Sequence, residues 1–159
     1  MRYLISFILL LLMASCQAKT IVVDSGGFGD AASLASAITM ASSGDTILLK
    51  PGNYSGAIVD RSLIINGSDQ VQLDGSLIII APGCKITNLA TKSIGRDPAI
   101  VLQSTDNLLV RCKVSGASIG IRATGDGNTL LDCNVDAPQG TCMELLGKRC
   151  KVLNSTFLG

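Results

Sequence analysis

The sequence predicts an all-β solenoid: a single-stranded right-handed parallel β-helix of about five coils of 21–23 residues, closed at its start by an α-helix. Three observations carry this. The stretch "NLLVRCKV" (107–114) returns as "NTLLDCNV" (128–135), with its asparagine, cysteine and valine in register. Extending the match puts Cys84, Asn107, Asn128 and Cys150 in one column, at spacings of 23, 21 and 22 residues. Within each copy apolar residues alternate with variable ones, the period-two signature of a strand, and turn-like "APG", "TDN", "GDG" and "LGK" separate the copies.

The chain begins "MRYLISFILLLLMASCQA". A basic residue followed by an apolar run too short to span a bilayer reads as a secretory leader over residues 1–18. Two processing sites offer themselves: cleavage after Ala18, which is expected, and a lipid-modified terminus at Cys16 as the alternative. Removing residues 1–18 takes away only Arg2 and leaves acids and bases equal at 12 each. A neutral chain without a basic cluster argues against nucleic acid as a partner, and no later apolar run is long enough for a transmembrane segment.

Residues 19–56 form the amino-terminal cap and first coil. Asp30 is placed to cap a helix over "AASLASAITMA", whose Leu34, Ala37, Ile38 and Ala41 share one face, with the helix ending near Ser43-Gly44. That face covers the open apolar end of the first coil, a closure that solenoids need.

Residues 57–159 supply the remaining coils. Reading down the columns gives Leu77, Ile100, Ile121 and Met143; Ile79, Leu102, Ala123 and Leu145; Ile86, Leu109, Leu130 and Val152. Stacked coils turn each column into a ladder, and an inward ladder must be apolar at every rung. The columns Leu89, Cys112, Cys133, Ser155 and Thr91, Val114, Val135, Phe157 also read as inward. Outward columns bring opposite charges to neighbouring rungs, Arg111 beside Asp132 and Arg122 beside Glu144. The final coil has no cap, so Met143, Leu145, Val152 and Phe157 are expected at an open edge that favours self-association through the carboxyl-terminal coil.

The segment "TIVVDSGGFGDAASLASAITMASSGDTILLKPGNYSG" (20–56), followed by "SLIING" and "PGCKITNL", resembles the cap and first coils of the pectate-lyase-like β-helix superfamily. It is most similar to the NosD-type repeat domains, described as periplasmic copper-binding or as carbohydrate-binding and sugar-hydrolase modules. The resemblance implies the fold, a cell-surface or periplasmic setting, and a polysaccharide or other cell-envelope component as partner; a shared fold does not by itself assign a function.

The chain has no histidine. Histidine-dependent hydrolysis and histidine-ligated copper or zinc are therefore excluded, and the copper-binding description does not carry over. Cys112, Cys133, Cys142 and Met143 form the softest candidate metal cluster, but small core residues account for them better; no metal or cofactor is expected. Asp74, Asp97, Asp106, Asp126, Asp132 and Glu144 are the carboxylates available for acid–base work, or for calcium under an enzymatic alternative, a polysaccharide lyase or hydrolase or a truncated piece of one. They form no tight constellation, Asp97, Asp106 and Asp126 fall in turns that favour Asp, and no catalytic residue is assigned. The candidate ligand-binding face is Asn88, Arg111, Lys113, Asp132 and Asn154, polar groups in place of the aromatic platforms on which sugar recognition often leans. Tyr54, Phe28 and Phe157 are the mature chain's only aromatics.

Five cysteines follow Ala18, an odd number that rules out complete pairing within one chain. Cys112 and Cys133 stand one coil apart with marginal geometry for a bridge, and buried free thiols are expected. The sequons at Asn53, Asn66 and Asn154 are weak signals of surface glycosylation.

Overall fold

The computed structural model describes residues 17–159 apart from Asp69 and Gln139; the leader and the Cys16 alternative lie outside these residues. The chain is an all-β parallel solenoid of about five turns with a helix near its start. Every strand pairing is parallel.

Three faces wind in order around the core. The first is a seven-stranded sheet of β1 (Thr20–Val23), β2 (Thr46–Leu49), β4 (Ile64–Gly67), β6 (Lys85–Thr87), β9 (Leu108–Val110), β12 (Thr129–Leu131) and β15 (Lys151–Leu153). The second stacks the leading halves of β3 (Gly52–Val59) and β5 (Val71–Ile79) with β7 (Ala90–Gly95), β10 (Lys113–Ala117), β13 (Asn134–Asp136) and β16 (Thr156–Leu158). The third stacks the trailing halves of β3 and β5 with β8 (Ile100–Leu102), β11 (Ile119–Ala123) and β14 (Thr141–Leu145). In β3 and β5 the chain turns between two faces without leaving the strand, at Gly56 and at Gly75 with φ 105°. A side chain at Gly56 would meet the backbone of Ser76 in the next coil.

The ladders are those the columns predict. Leu77, Ile79, Ile86, Leu89, Ile100, Leu102, Leu109, Cys112, Ile121, Ala123, Leu130, Cys133 and Val135 are buried in one core, with Cys142, Met143, Val152 and Phe157 partly buried against its end. Register pairs Ile86 with Leu109, Leu109 with Leu130 and Leu130 with Val152. Consecutive inward rungs thus bury one another, the arrangement that makes such strands apolar on a strict period.

The cap differs from expectation in its boundaries. Helix α1 runs Leu34–Met40, seven residues, and its N-cap is Ser33, not Asp30: Ser33 Oγ accepts from Ser36 N while Ser36 Oγ accepts from Ser33 N, a capping box built from two serines. Asp30 instead accepts from Val22 N at 2.8 Å and fastens the loop that precedes the helix. The helix ends at Met40, before Ser43-Gly44, because Ala41 is already extended. Leu34, Ala37, Ile38 and Ala41 are buried, as their spacing requires.

At the bend before the first face, polar side chains run inside the solenoid. Asn107 Oδ1 accepts the backbone N–H of Cys84 at 2.8 Å, and Asn128 Oδ1 accepts that of Asn107 at 2.9 Å. In the first coils Asp45 repeats the relation, accepting from Lys19 N and also from Ser42 N, both at 2.8 Å. Asp45, Asn107 and Asn128 are buried, and each closes a donor that the preceding coil leaves open.

Candidate functional site

Between the first and second faces the chain turns a corner, and the width of this corner shapes the surface. In the earliest coil it is the loop from Asp24 to Asp30, fastened by Asp24 and Asp30. After β4 the corner carries Ser68, whose Oγ donates to Leu49 O at 3.0 Å, and Gln70, with φ 70°. After β6, β9, β12 and β15 one left-handed residue makes the turn: Asn88, Arg111, Asp132 and Asn154, with φ of 52°, 51°, 54° and 49°. Asn and Asp tolerate this conformation because their short polar side chains bond locally. Arg111 has no such excuse.

The predicted ligand-binding residues are therefore, Lys113 apart, a single corner ladder. Its backbone is held across coils, Asn88 N to Val110 O at 3.0 Å, Arg111 N to Leu131 O at 2.9 Å and Asp132 N to Leu153 O at 3.1 Å. Lys113 lies two residues past the corner and points outward from the second face, opposite Ala90 and Asn134 on the adjacent rungs.

Ser68 and Gln70, at the corner after β4, border an open groove of about 500 Å³. Ser68, Gln70, Gln72, Asn88, Arg111 and Lys113 give it its polar lining. A shallower depression of about 260 Å³ continues along the second face, sharing Gln72 and Lys113 and ending at Asn134 and Asp136. The groove thus gathers three of the five expected residues, Asn88, Arg111 and Lys113; Asp132 and Asn154 stand farther along the same corner.

The expected pair of Arg111 with Asp132 is not formed. Arg111 Nε donates instead to Asn88 Oδ1 at 2.8 Å, Asn88 Nδ2 to Asn66 Oδ1 at 3.3 Å, and Thr87 Oγ1 to the same Asn66 Oδ1 at 2.7 Å. A neutral amide on the preceding rung holds the guanidinium beside the groove, which both residues line. No described residue accepts from either Nη of Arg111. The other expected pair is present, Arg122 Nε to Glu144 Oε2 at 2.7 Å, on the third face. That face's outward column reads Ile58, Ile78, Val101, Arg122, Glu144, so its titratable groups are tied to each other beside an aliphatic stripe.

Gln70, Gln72, Ser68 and Asn66 were not among the expected site residues. The signal for them was "GSDQ" (67–70), a polar turn longer than its counterparts in later coils. Of the aromatics, Tyr54 is buried, its hydroxyl donating to Lys50 O at 2.8 Å, and Phe157 is turned inward; Phe28 is 88% exposed on the Asp24–Asp30 loop. No group of three or more metal-ligating side chains occurs among the described residues, and no described helix is long and apolar enough to cross a membrane.

Comparison with protein families, with characterised proteins and with solved structures finds no match. The fold is that of a parallel β-solenoid, and the functional reading rests on the groove.

Proposed function

We propose that the protein is an exported β-helix module of the cell surface or periplasm that binds carbohydrate through polar contacts, without catalysis. The observation that carries this reading is the groove lined by the amides of Gln70, Gln72 and Asn88, with the neighbouring depression that shares Gln72 and Lys113. Amide side chains offer paired donors and acceptors, the chemistry that sugar hydroxyls need. An extended polymer fits a groove that continues across successive rungs. The resemblance to NosD-type repeats supports the same reading.

The enzymatic alternative, with or without calcium, asks for an acid and a base at one place. In the groove two cations and several amides meet, and Glu144 is engaged by Arg122. The test is to pass the purified chain over immobilised polysaccharides while assaying for shortened or unsaturated products. Retention without products is expected. Product formation, or the absence of retention on every polymer, would overturn the reading.

Self-association through the last coil stands beside it as a second proposal. Leu145, Leu153 and Leu158 are 40%, 48% and 52% exposed on the outermost described strands, β14, β15 and β16. No other described strand pairs with their outer edges, and strand edges with apolar side chains invite another strand. Light scattering tests it: a dimer or larger species is expected, and a monomer at high concentration would refute it.

A further inference from the structure

We propose that the groove is a site for one carboxylate, taking a single acidic sugar within an otherwise neutral glycan. This rests on the carbohydrate-binding reading and narrows it to a ligand class.

The first support is where backbone strain falls. Among the described residues seven other than glycine have positive φ, four of them Asn or Asp. Of the other three, Gln70 and Arg111 both line the groove. A long side chain in a left-handed position costs stability that Asn would not, and such outliers gather where function needs a side chain aimed. At Arg111 the aim is set by Asn88, whose side chain donates to Asn66 Oδ1 and whose Oδ1 accepts from Nε, leaving the two Nη groups as a flat fork. A fork of two parallel N–H donors matches a carboxylate. Lys113, two residues on in the same coil, adds a second positive charge.

The second support is the charge on neighbouring rungs. The cation pair is one rung deep. On one side stand Asn88 and Ala90; on the other, Asp132 and Asn134, with Asp136 on the same strand as Asn134. Rungs repeat at about 4.8 Å, so a polymer with an acid on every ring would bring its next charge toward Asp132 and Asp136, where like charges repel. A neutral sugar there meets amides and hydroxyl acceptors.

The experiment measures affinity by calorimetry for four probes: a neutral xylo-oligosaccharide, the same oligosaccharide carrying one glucuronate, a polyuronate and an oligodeoxythymidine. The single-acid oligosaccharide is expected to bind roughly tenfold tighter than the neutral one, the scale of one charged hydrogen-bonded contact, and to weaken at high salt. Arg111→Asn should abolish that preference while leaving the melting temperature unchanged or raised, since Asn suits the corner. Asp132→Asn combined with Asp136→Asn should raise polyuronate affinity and leave the single-acid ligand little changed. Equal affinity for neutral and acidic oligosaccharides, tightest binding to polyuronate, preference for oligodeoxythymidine, or an Arg111→Asn variant with unaltered preference would each overturn this inference while carbohydrate binding stands. No binding to any saccharide would overturn the carbohydrate reading itself.

Discussion

The side-chain carbonyl of Asn128 accepts the backbone N–H of Asn107 from the neighbouring coil at 2.9 Å, and Asn128 Nδ2 donates to Gly125 O at 2.7 Å and Ser104 O at 3.0 Å. One buried amide thereby closes an open donor and two carbonyls at a bend where the strand ladder is interrupted. Asn128→Ala should leave these groups buried without partners and destabilise the chain by about 2–3 kcal/mol, more than the 1 kcal/mol or so of an exposed hydrogen bond. Urea unfolding of Asn128→Ala beside Asn154→Ala, at an exposed corner, measures the difference.

Leu109 and Lys113 share a coil and face opposite ways, Leu109 fully buried between Ile86 and Leu130, Lys113 exposed. Leu109→Asp should cost several kcal/mol, enough to unfold a marginal domain, whereas Lys113→Ala should be neutral within about 0.5 kcal/mol. Thermal melts compare them directly, and equal melting temperatures would contradict the coil register.

Thr91 occupies an inward rung between Leu73 and Val114, and its hydroxyl finds no hydrogen-bond partner. Thr91→Val keeps the branched shape and removes the orphan group, so a gain of about 1 kcal/mol in unfolding free energy is expected by denaturant titration. A loss of stability would mean that the hydroxyl is satisfied in solution.

Asp45 holds the first coils together through two backbone donors, Ser42 and Lys19, which draw its pKa below the ordinary 3.8 of an aspartate. A carboxylate with a depressed folded pKa adds stability above its unfolded value and loses it as pH falls through the folded one. The wild type should therefore lose stability on acidification below about pH 4, and Asp45→Asn, whose amide oxygen is not titrated, should lose less. Melting curves from pH 6 to pH 2 give the comparison.

Cys112 and Cys133 are stacked and buried, and each is a free thiol, as are Cys84, Cys142 and Cys150. The hydrogen bond with the neighbouring Cys133 thiol, together with burial, pushes the Cys112 thiol well above its usual range, and the same contact draws Cys133 down to about 7. At neutral pH a thiol reagent should thus react slowly with Cys84 and Cys112 in the folded chain and faster with the partly exposed Cys142 and Cys150, and three or more groups should be titrated in all on unfolding without reductant. Fewer would show that bridges had formed.

How far the sequence could be read follows from how each feature is encoded. The core ladders were legible because burial demands an apolar residue at every rung, so Ile86, Leu109, Leu130 and Val152 repeat in kind. The corner ladder was legible as a column, Asn88, Arg111, Asp132 and Asn154, but not as a conformation, since a left-handed turn restricts backbone angle and only weakly restricts residue type. Charge alone paired Arg111 with Asp132; the choice of Asn88 depends on where a one-residue corner points its side chains. The serine capping box was hidden because Asp30 is an equally good cap by composition. The groove was invisible, for it is a difference between two corners, Ser68–Gln70 against Asn88, and no repeat alignment scores a difference.

The single-residue corner also frees the molecule's length. Because Arg111 and Asp132 turn the chain with nearly equal φ, 51° and 54°, the segment between them is a module with matching ends. A copy of that 21-residue segment inserted in tandem would find the strand below and the strand above already in register, and would lengthen the rod by one rung, about 4.8 Å. Growth of this kind leaves the groove at Ser68, Gln70 and Asn88 untouched. Such a gene can stretch or shrink by whole coils through duplication and deletion while its binding end stays as it is.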